Sequence, residues 1–411
     1  MKILKFCAII IVAMASCKPA ATDFTPVPFE SQLILDDARY FWAHCPADLT
    51  GDGVADLVFI HNNASGGYLG YYTGHIGSGL WEKVTISNEP MDSIFFAGGD
   101  LECADIDGDG DLDVLAIRHP GEWVEAGAVA HLSWFENPSW KEHAIGKVPD
   151  AVKDVSFTDF DKDGHMDLAV LTFDESTLSL FQQGEDSVWQ RAQYWHDYGN
   201  LHEGMAIGDV NGDGYADILA TGHAFINPAT NLSLPWKTEN IHSRWNSQTG
   251  DWSRNGTKMF AQDLDGDGQD EVFISHSERA GYPVTWNKRI AENTWEEHVI
   301  LDSLPACHTL QVYDFDGNGR YDLLAGINKG RAVNLGVDHF ELMLLRSEDY
   351  EDWQSQIITD EGIYNGQAID FDGDGDMDFF RYPDHESNEM YLFVNQTIAK
   401  NNQVAEKASN P

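Results

Sequence analysis

Residues 370–378 read DFDGDGDMD, and variants of this acidic nonapeptide recur six more times along the chain. They stand at 48–56 (DLTGDGVAD), 105–113 (DIDGDGDLD), 159–167 (DFDKDGHMD), 209–217 (DVNGDGYAD), 263–271 (DLDGDGQDE) and 314–322 (DFDGNGRYD). Successive copies begin 57, 54, 50, 54, 51 and 56 residues apart. A motif returning at such a spacing marks a repeat architecture, so the fold must be read one period at a time. Gly occupies position six of every copy, from Gly53 to Gly375. A turn this tight needs a residue that accepts positive φ.

The chemistry is that of a hard cation. Oxygens at positions one, three, five and nine can converge on one ion, with a backbone carbonyl from position seven. The expected calcium ligands are Asp48, Asp52 and Asp56 in the first copy, then Asp105, Asp107, Asp109 and Asp113 in the second. Asp159, Asp161, Asp163 and Asp167 serve the third, and Asp209, Asn211, Asp213 and Asp217 the fourth. The last three copies offer Asp263, Asp265, Asp267 and Glu271; Asp314, Asp316, Asn318 and Asp322; and Asp370, Asp372, Asp374 and Asp378. About one calcium per repeat is expected. An EF-hand is excluded, because position twelve (Phe59, Ala116, Val170, Ala220, Ile274, Ala325 and Arg381) never supplies the bidentate Glu. Each loop runs instead into a short apolar stretch such as DLVFI, which reads as a strand.

Each period continues with a second apolar run (HLSWF, TLSLF, ELMLL) and then a segment opened by Trp, as at Trp140, Trp295 and Trp353. The unit is strand, acidic loop, strand, turn, strand, turn, strand. Seven such units predict an all-β, seven-bladed β-propeller with four-stranded blades. The seventh unit lacks its outer strand, but FESQLI at 29–34 matches WQSQII at 353–358. The N-terminal strand is therefore expected to close the ring and remove the exposed edge.

The 411 residues carry 68 acidic and 25 basic side chains, a net charge of −43. Phosphate binding needs clustered Lys and Arg, so nucleic acid is excluded as a partner. The N-terminus has Lys2 and Lys5 before a short apolar run and then Met14-Ala15-Ser16-Cys17. This resembles a bacterial lipoprotein signal: residues 1–16 are expected to be cleaved, and 17–28 to form a lipidated Cys and tether. The propeller is assigned to 29–396 and a polar tail to 397–411. The chain is thus expected to be an exported lipoprotein, membrane-attached through its N-terminal lipid and periplasmic or on the cell surface. Its oligomeric state is left open.

The loops resemble those of FG-GAP/VCBS-repeat propellers, the calcium-loop family that includes the integrin α headpiece. The resemblance implies the propeller fold, a bound calcium in the loops, and a ligand-handling face, though the fold hosts adhesins, lectins and enzymes. The blade-five segment ISHSERAGYPVTW at 274–286 is similar to bacterial propellers resembling aldos-2-ulose dehydratase, a metal-containing sugar dehydratase-isomerase.

Superposing the repeats locates a candidate site. The strand entering each acidic loop should line the axis, and its start should lie on the face opposite the loops. Six residues before the loops stand Trp42, Gly99, Lys153, Glu203, Thr257, His308 and Tyr364, a polar ring that differs from blade to blade. Just after the second strand stand His61, His119, His223 and His276 among others. His276, Glu278 and His308 are the candidate catalytic residues, as general acid and base or as ligands of one zinc- or manganese-like ion. Lys153, His202, Glu203, His223, Lys258, Arg279, Tyr282 and Tyr364 are candidate substrate-binding residues. Aromatic rings beside polar groups suit a carbohydrate. The expected function is carbohydrate handling at this face, as a metal-assisted lyase or dehydratase or as a non-catalytic glycan- or protein-binding module.

Overall fold

The computed structural model describes residues 25–63, 66–120, 128–173, 175–185, 188–196, 198, 200–384 and 386–398. The expected signal segment, Cys17, most of the tether and most of the C-terminal tail lie outside the described residues.

Each sequence period becomes one antiparallel four-stranded sheet, and seven sheets form the ring. Blade five shows the pattern: Thr257–Gln262 lines the axis, then come Glu271–His276, Val284–Ala291 and Thr294–Leu301 outward. The second strands are buried at every residue in blades two to seven, as in DVLAIR, DLAVLT and DLLAGI, and in blade one at all but His61. A blade is covered on both faces by its neighbours, which is why these strands read as continuous apolar runs instead of alternating ones. The outermost strand is half wet, as in WQSQIIT. His143 and His298, on outer strands, stack on Trp134 at 4.3 Å and Trp286 at 3.7 Å between ring centroids.

The ring is closed by the N-terminal strand Phe29–Leu35, which pairs antiparallel with Met390–Asn395, Phe29 opposite Asn395. Blade one then packs on blade seven, with the Trp81 indole stacked on Phe371 at 5.6 Å.

The seven acidic loops fold alike. The position-six glycines have φ between +82° and +101°. Each donates its N–H to the carboxylate of position one, at 2.8 Å for Gly53 to Asp48 and 3.0 Å for Gly375 to Asp370. The position-nine acid is buried in every blade. One of its oxygens accepts the N–H of position two, as in Leu49 to Asp56 at 3.0 Å and Phe371 to Asp378 at 2.9 Å. In five blades the other oxygen accepts an N–H from the end of the third strand, as in Asn227 to Asp217 at 2.7 Å.

A further link crosses between blades. The side-chain amides of Asn137, Gln183, Asn227 and Asn395 donate to the position-two carbonyl of the preceding blade's loop. These are Leu49 at 2.9 Å, Ile106 at 3.1 Å, Phe160 at 2.9 Å and Phe315 at 2.7 Å. The repeat pattern does not reveal this latch, because an amide at a strand end looks like an ordinary turn residue. Leucine fits the volume but leaves the Phe160 and Ala216 carbonyls without their amide donor. Asn227→Leu should cost about 1–3 kcal/mol. Urea unfolding should show a lower midpoint at unchanged slope; an unchanged midpoint would mean that the amide does not hold blades three and four together.

Candidate functional site

On the face opposite the loops the ring opens into a cavity of about 530 Å³. The starts of the innermost strands supply Trp42, Lys153, Glu203 and Tyr364, as the superposition predicts. Phe173 and Asn328 come from the segments after the second strands of blades three and six, and Glu278 from blade five. Two insertions complete the wall. The segment between blades four and five carries the short helix α1 (Ser243–Asn246) and presents Trp252, which is 47% exposed. The blade-six insertion carries α2 (Lys329–Asn334), with Arg331 and Asn334 facing the cavity. Arg331 lies 4.8 Å over the Trp252 ring, so the two insertions brace each other. Asp384 and Glu386 add negative charge to the lining.

Three buried side chains meet in this region. His308 Nε2 lies 3.5 Å from Glu203 Oε1 and 3.4 Å from Glu278 Oε1. Lys153 Nζ is 3.3 Å from Glu203 Oε2, Lys258 Nζ 3.9 Å from Glu203 Oε1, and Arg331 Nε 3.1 Å from Glu278 Oε2. Glu203 is 1% exposed, and neither of its oxygens has a hydrogen-bond partner among the described residues. Burying an isolated carboxylate costs several kcal/mol, so the compensation here is electrostatic. Burial alone would raise the Glu203 carboxyl, but Lys153, His308 and Lys258 outweigh it and hold it well below the ordinary carboxylate range. Glu278 goes the other way. Burial and the Glu203 charge push it up to about 8, against the pull of Lys153, Arg331 and Lys258. Near neutrality one carboxyl is thus held ionised and its neighbour protonated, which separates a base from an acid.

The other candidates stand behind these. His276 is fully buried, its Nε2 2.9 Å from Gln248 Oε1 and its Nδ1 accepting the Glu278 N–H at 3.1 Å. Burial, with Arg279 nearby, lowers it to about 3, and it orients Glu278 from behind. The third member of the cluster is therefore Glu203, with His276 supporting the backbone. Arg279 bonds Gln248, Ser253 and Asp251, fixing the segment that carries Trp252. Tyr282 packs on His276 at 4.3 Å between ring centroids. His202 packs on Phe173 at 4.2 Å, and burial lowers it to about 4. His223 packs against Tyr198 at 5.8 Å, away from the cavity lining. Lys258 and His308 also line a smaller axial cavity of about 130 Å³ with Asp100 and Asp154. The Tyr364 ring packs against His308 at 4.4 Å between centroids, tilted by 39°. Sequence superposition misses Trp252 and Arg331, because insertions have no counterpart in the other repeats.

On the loop face, several ligand sets are already gathered. The ligating atoms of Asp105, Asp107 and Asp113 lie within 4.8 Å of one another, as do those of Asp159, Asp161 and Asp167 and of Asp314, Asp316 and Asp322. In blade seven Asp370 Oδ1 and Asp372 Oδ1 are buried without a hydrogen-bond partner. All-oxygen sets with orphaned carboxylate atoms fit a hard cation.

Residues 105–170 and 159–220 match the FG-GAP-like repeat family. The propeller thus contains FG-GAP-like repeats, matched in blades two to four. No curated protein matches the chain. Among solved structures, the chain is similar to an Agrocybe aegerita lectin that recognises non-reducing terminal N-acetylglucosamine. That likeness has 16% identity and a TM-score of 0.48, covering 78% of this chain and 80% of the lectin. It is also similar to a Bacteroides fragilis protein assigned as a 6-phosphogluconolactonase (11% identity, TM-score 0.48, 84% of this chain and 99% of that one). A Bacillus licheniformis rhamnogalacturonan lyase is similar at 13% identity and a TM-score of 0.47, over 89% of this chain and 72% of the lyase.

The split between the two carboxyls has a consequence for stability. Glu278 is raised from 4.5 to about 8, so the folded chain keeps its proton after the unfolded chain has lost it. The stability it contributes is complete below pH 4.5 and is lost as pH rises toward about 8. Glu278→Gln stays neutral throughout. The stability difference between wild type and variant in chelator should therefore slope across this window, with the wild type losing ground as pH rises. A flat difference would show that Glu278 ionises normally.

Proposed function

We propose that the central cavity of this FG-GAP-like propeller binds a carbohydrate and eliminates across one of its bonds by proton transfer. The observation that supports it most is the pair of buried carboxyls, Glu203 held ionised and Glu278 held protonated, both within 3.5 Å of His308 Nε2. Glu203 would take the proton from a carbon next to a carbonyl or carboxyl group. The Lys153 ammonium, 3.3 Å from Glu203, supplies positive charge for the oxyanion that develops. Glu278 would then give its proton to the departing oxygen. One C–H and one C–O bond break and one C=C bond forms. Trp252 and Trp42 offer flat apolar faces on which a sugar ring can stack.

Glu203, Glu278 and His308 are also the residues that would hold a zinc- or manganese-like ion, whose contribution would be Lewis-acid polarisation of the substrate oxygen. The charge balance favours the metal-free reading. Lys153, Lys258 and Arg331 already set three cationic groups against the one ionised carboxylate and its protonated neighbour, so a dication would enter a site with no negative charge to spare.

The test is incubation with a panel of neutral, amino- and uronate-containing oligosaccharides, read by mass spectrometry. Elimination gives two products whose masses sum to the substrate; hydrolysis adds one water. Glu203→Gln and Glu278→Gln should each lower kcat by about 100-fold or more, and Trp252→Ala should raise KM. Wild-type kcat should fall above pH about 8 as Glu278 loses its proton. Binding without turnover would make this a glycan-binding module instead, and neither would sink the carbohydrate reading.

The acidic loops are read as structural calcium sites on the far face. The chain is read as an exported lipoprotein tethered through Cys17. Mass analysis of the mature N-terminus should find diacylglyceryl on Cys17 as the first residue; an unmodified N-terminus ahead of Cys17 would refute it.

A further inference from the structure

One position of the blade, invisible in the loop motif, bears on the acidic loop in blades two, three, five and six. In each blade the residue after the acidic ninth position pairs with a third-strand residue, for example Leu168 with Phe181, Val272 with Asn287 and Leu323 with Leu345. In those four blades the next third-strand residue acts on the loop. In blade three it is Gln182, whose Nε2 donates to Asp161 Oδ2 at 2.7 Å. In blade two it is Glu136, which adds negative charge beside Asp107. In blades five and six it is a cation, Lys288 and Arg346.

Lys288 does more than approach its loop. Its Nζ lies 2.6 Å from Asp265 Oδ2, 2.7 Å from Asp267 Oδ2 and 3.0 Å from Glu271 Oε1. These are positions three, five and nine, three of the side chains on which a calcium ion would depend. The ninth residue here is Glu where the other six copies have Asp. Its added methylene lets one oxygen reach Lys288 while the other keeps the Leu264 N–H at 2.9 Å, so the loop fold is preserved. An ammonium in this position repels a dication and occupies its ligands. Arg346 is less committed: its Nη1 is 3.4 Å from Asp316 Oδ2 and also donates to Thr25 O at 2.8 Å.

We propose that the blade-five loop uses Lys288 as its own cation and takes no calcium, so that the seven loops hold at most six ions. The inference rests on the calcium reading of the other loops. Crystals of wild type and of Lys288→Met, grown with calcium and soaked with terbium(III) as an anomalous probe, report each loop separately. Signals are expected in other loops of both proteins, and at the blade-five loop only in Lys288→Met. Lys288→Arg should behave as wild type. In chelator Lys288→Met should melt below wild type, and calcium should raise its Tm by more, because Asp265, Asp267 and Glu271 lose their counter-charge. An ion at the blade-five loop of wild type, or none there in Lys288→Met beside filled neighbours, would overturn the inference alone. Ions absent from every loop of both proteins would overturn the calcium reading and this inference together.

Discussion

The buried acid at position nine of each loop is the contact on which the ring depends. It sits at the start of the second strand, inaccessible to water, and spends its oxygens on backbone N–H groups of the loop and, in most blades, of the third strand. One side chain thereby fixes the turn between the first two strands and the register of the third. A buried acceptor left unmade costs more than a typical bond contributes, so each blade has one arrangement that satisfies it. The amides of Asn137, Gln183, Asn227 and Asn395 carry that order across the blade boundary.

Order on one face permits disorder of composition on the other. The loop face repeats nearly the same residues seven times, and the opposite ends of the same strands differ in every blade. A ring of identical groups can recognise only something symmetric about the axis. Here the charged groups gather where blades three to six converge, and Trp252 and Arg331 wall the cavity from the same side. The cavity is therefore lopsided in a symmetric scaffold, as recognition of an asymmetric ligand requires.

The loops and the ring closure are legible in the sequence because both are local patterns. Gly53 to Gly375 mark the turns, and residues 29–34 resemble the outer strand they replace. The innermost strand positions are legible too, since a fixed offset from a fixed turn sets them. The groups that converge on them are not. His276 and His308 are equally prominent histidines in the sequence, yet only His308 meets the carboxyls, because His276 turns its Nε2 to Gln248 in an insertion without a repeat counterpart. Glu203 reads as one acid among 68, and becomes distinctive only when Lys153, Lys258 and His308 arrive from three other blades.

Lys288 shows the same limit from the other side. The blade-five nonapeptide DLDGDGQDE looks like a good cation loop, and its Glu271 looks like a tolerated replacement. The residue that decides what the loop can hold lies a full strand later, and only the pairing of Val272 with Asn287 brings it round. A motif defines which oxygens are offered. Whether an ion is needed depends on the charge already beside them, and in a propeller that charge comes from the third strand. The same reasoning applies at the opposite face, where Lys153, Lys258 and Arg331 stand beside the two carboxyls that, with His308, make up a set of metal-ligand types. In both places the chain answers a cluster of acids with its own cations; in the buried central cluster the two carboxyls are also left unequal in proton affinity and so able to act as different reagents.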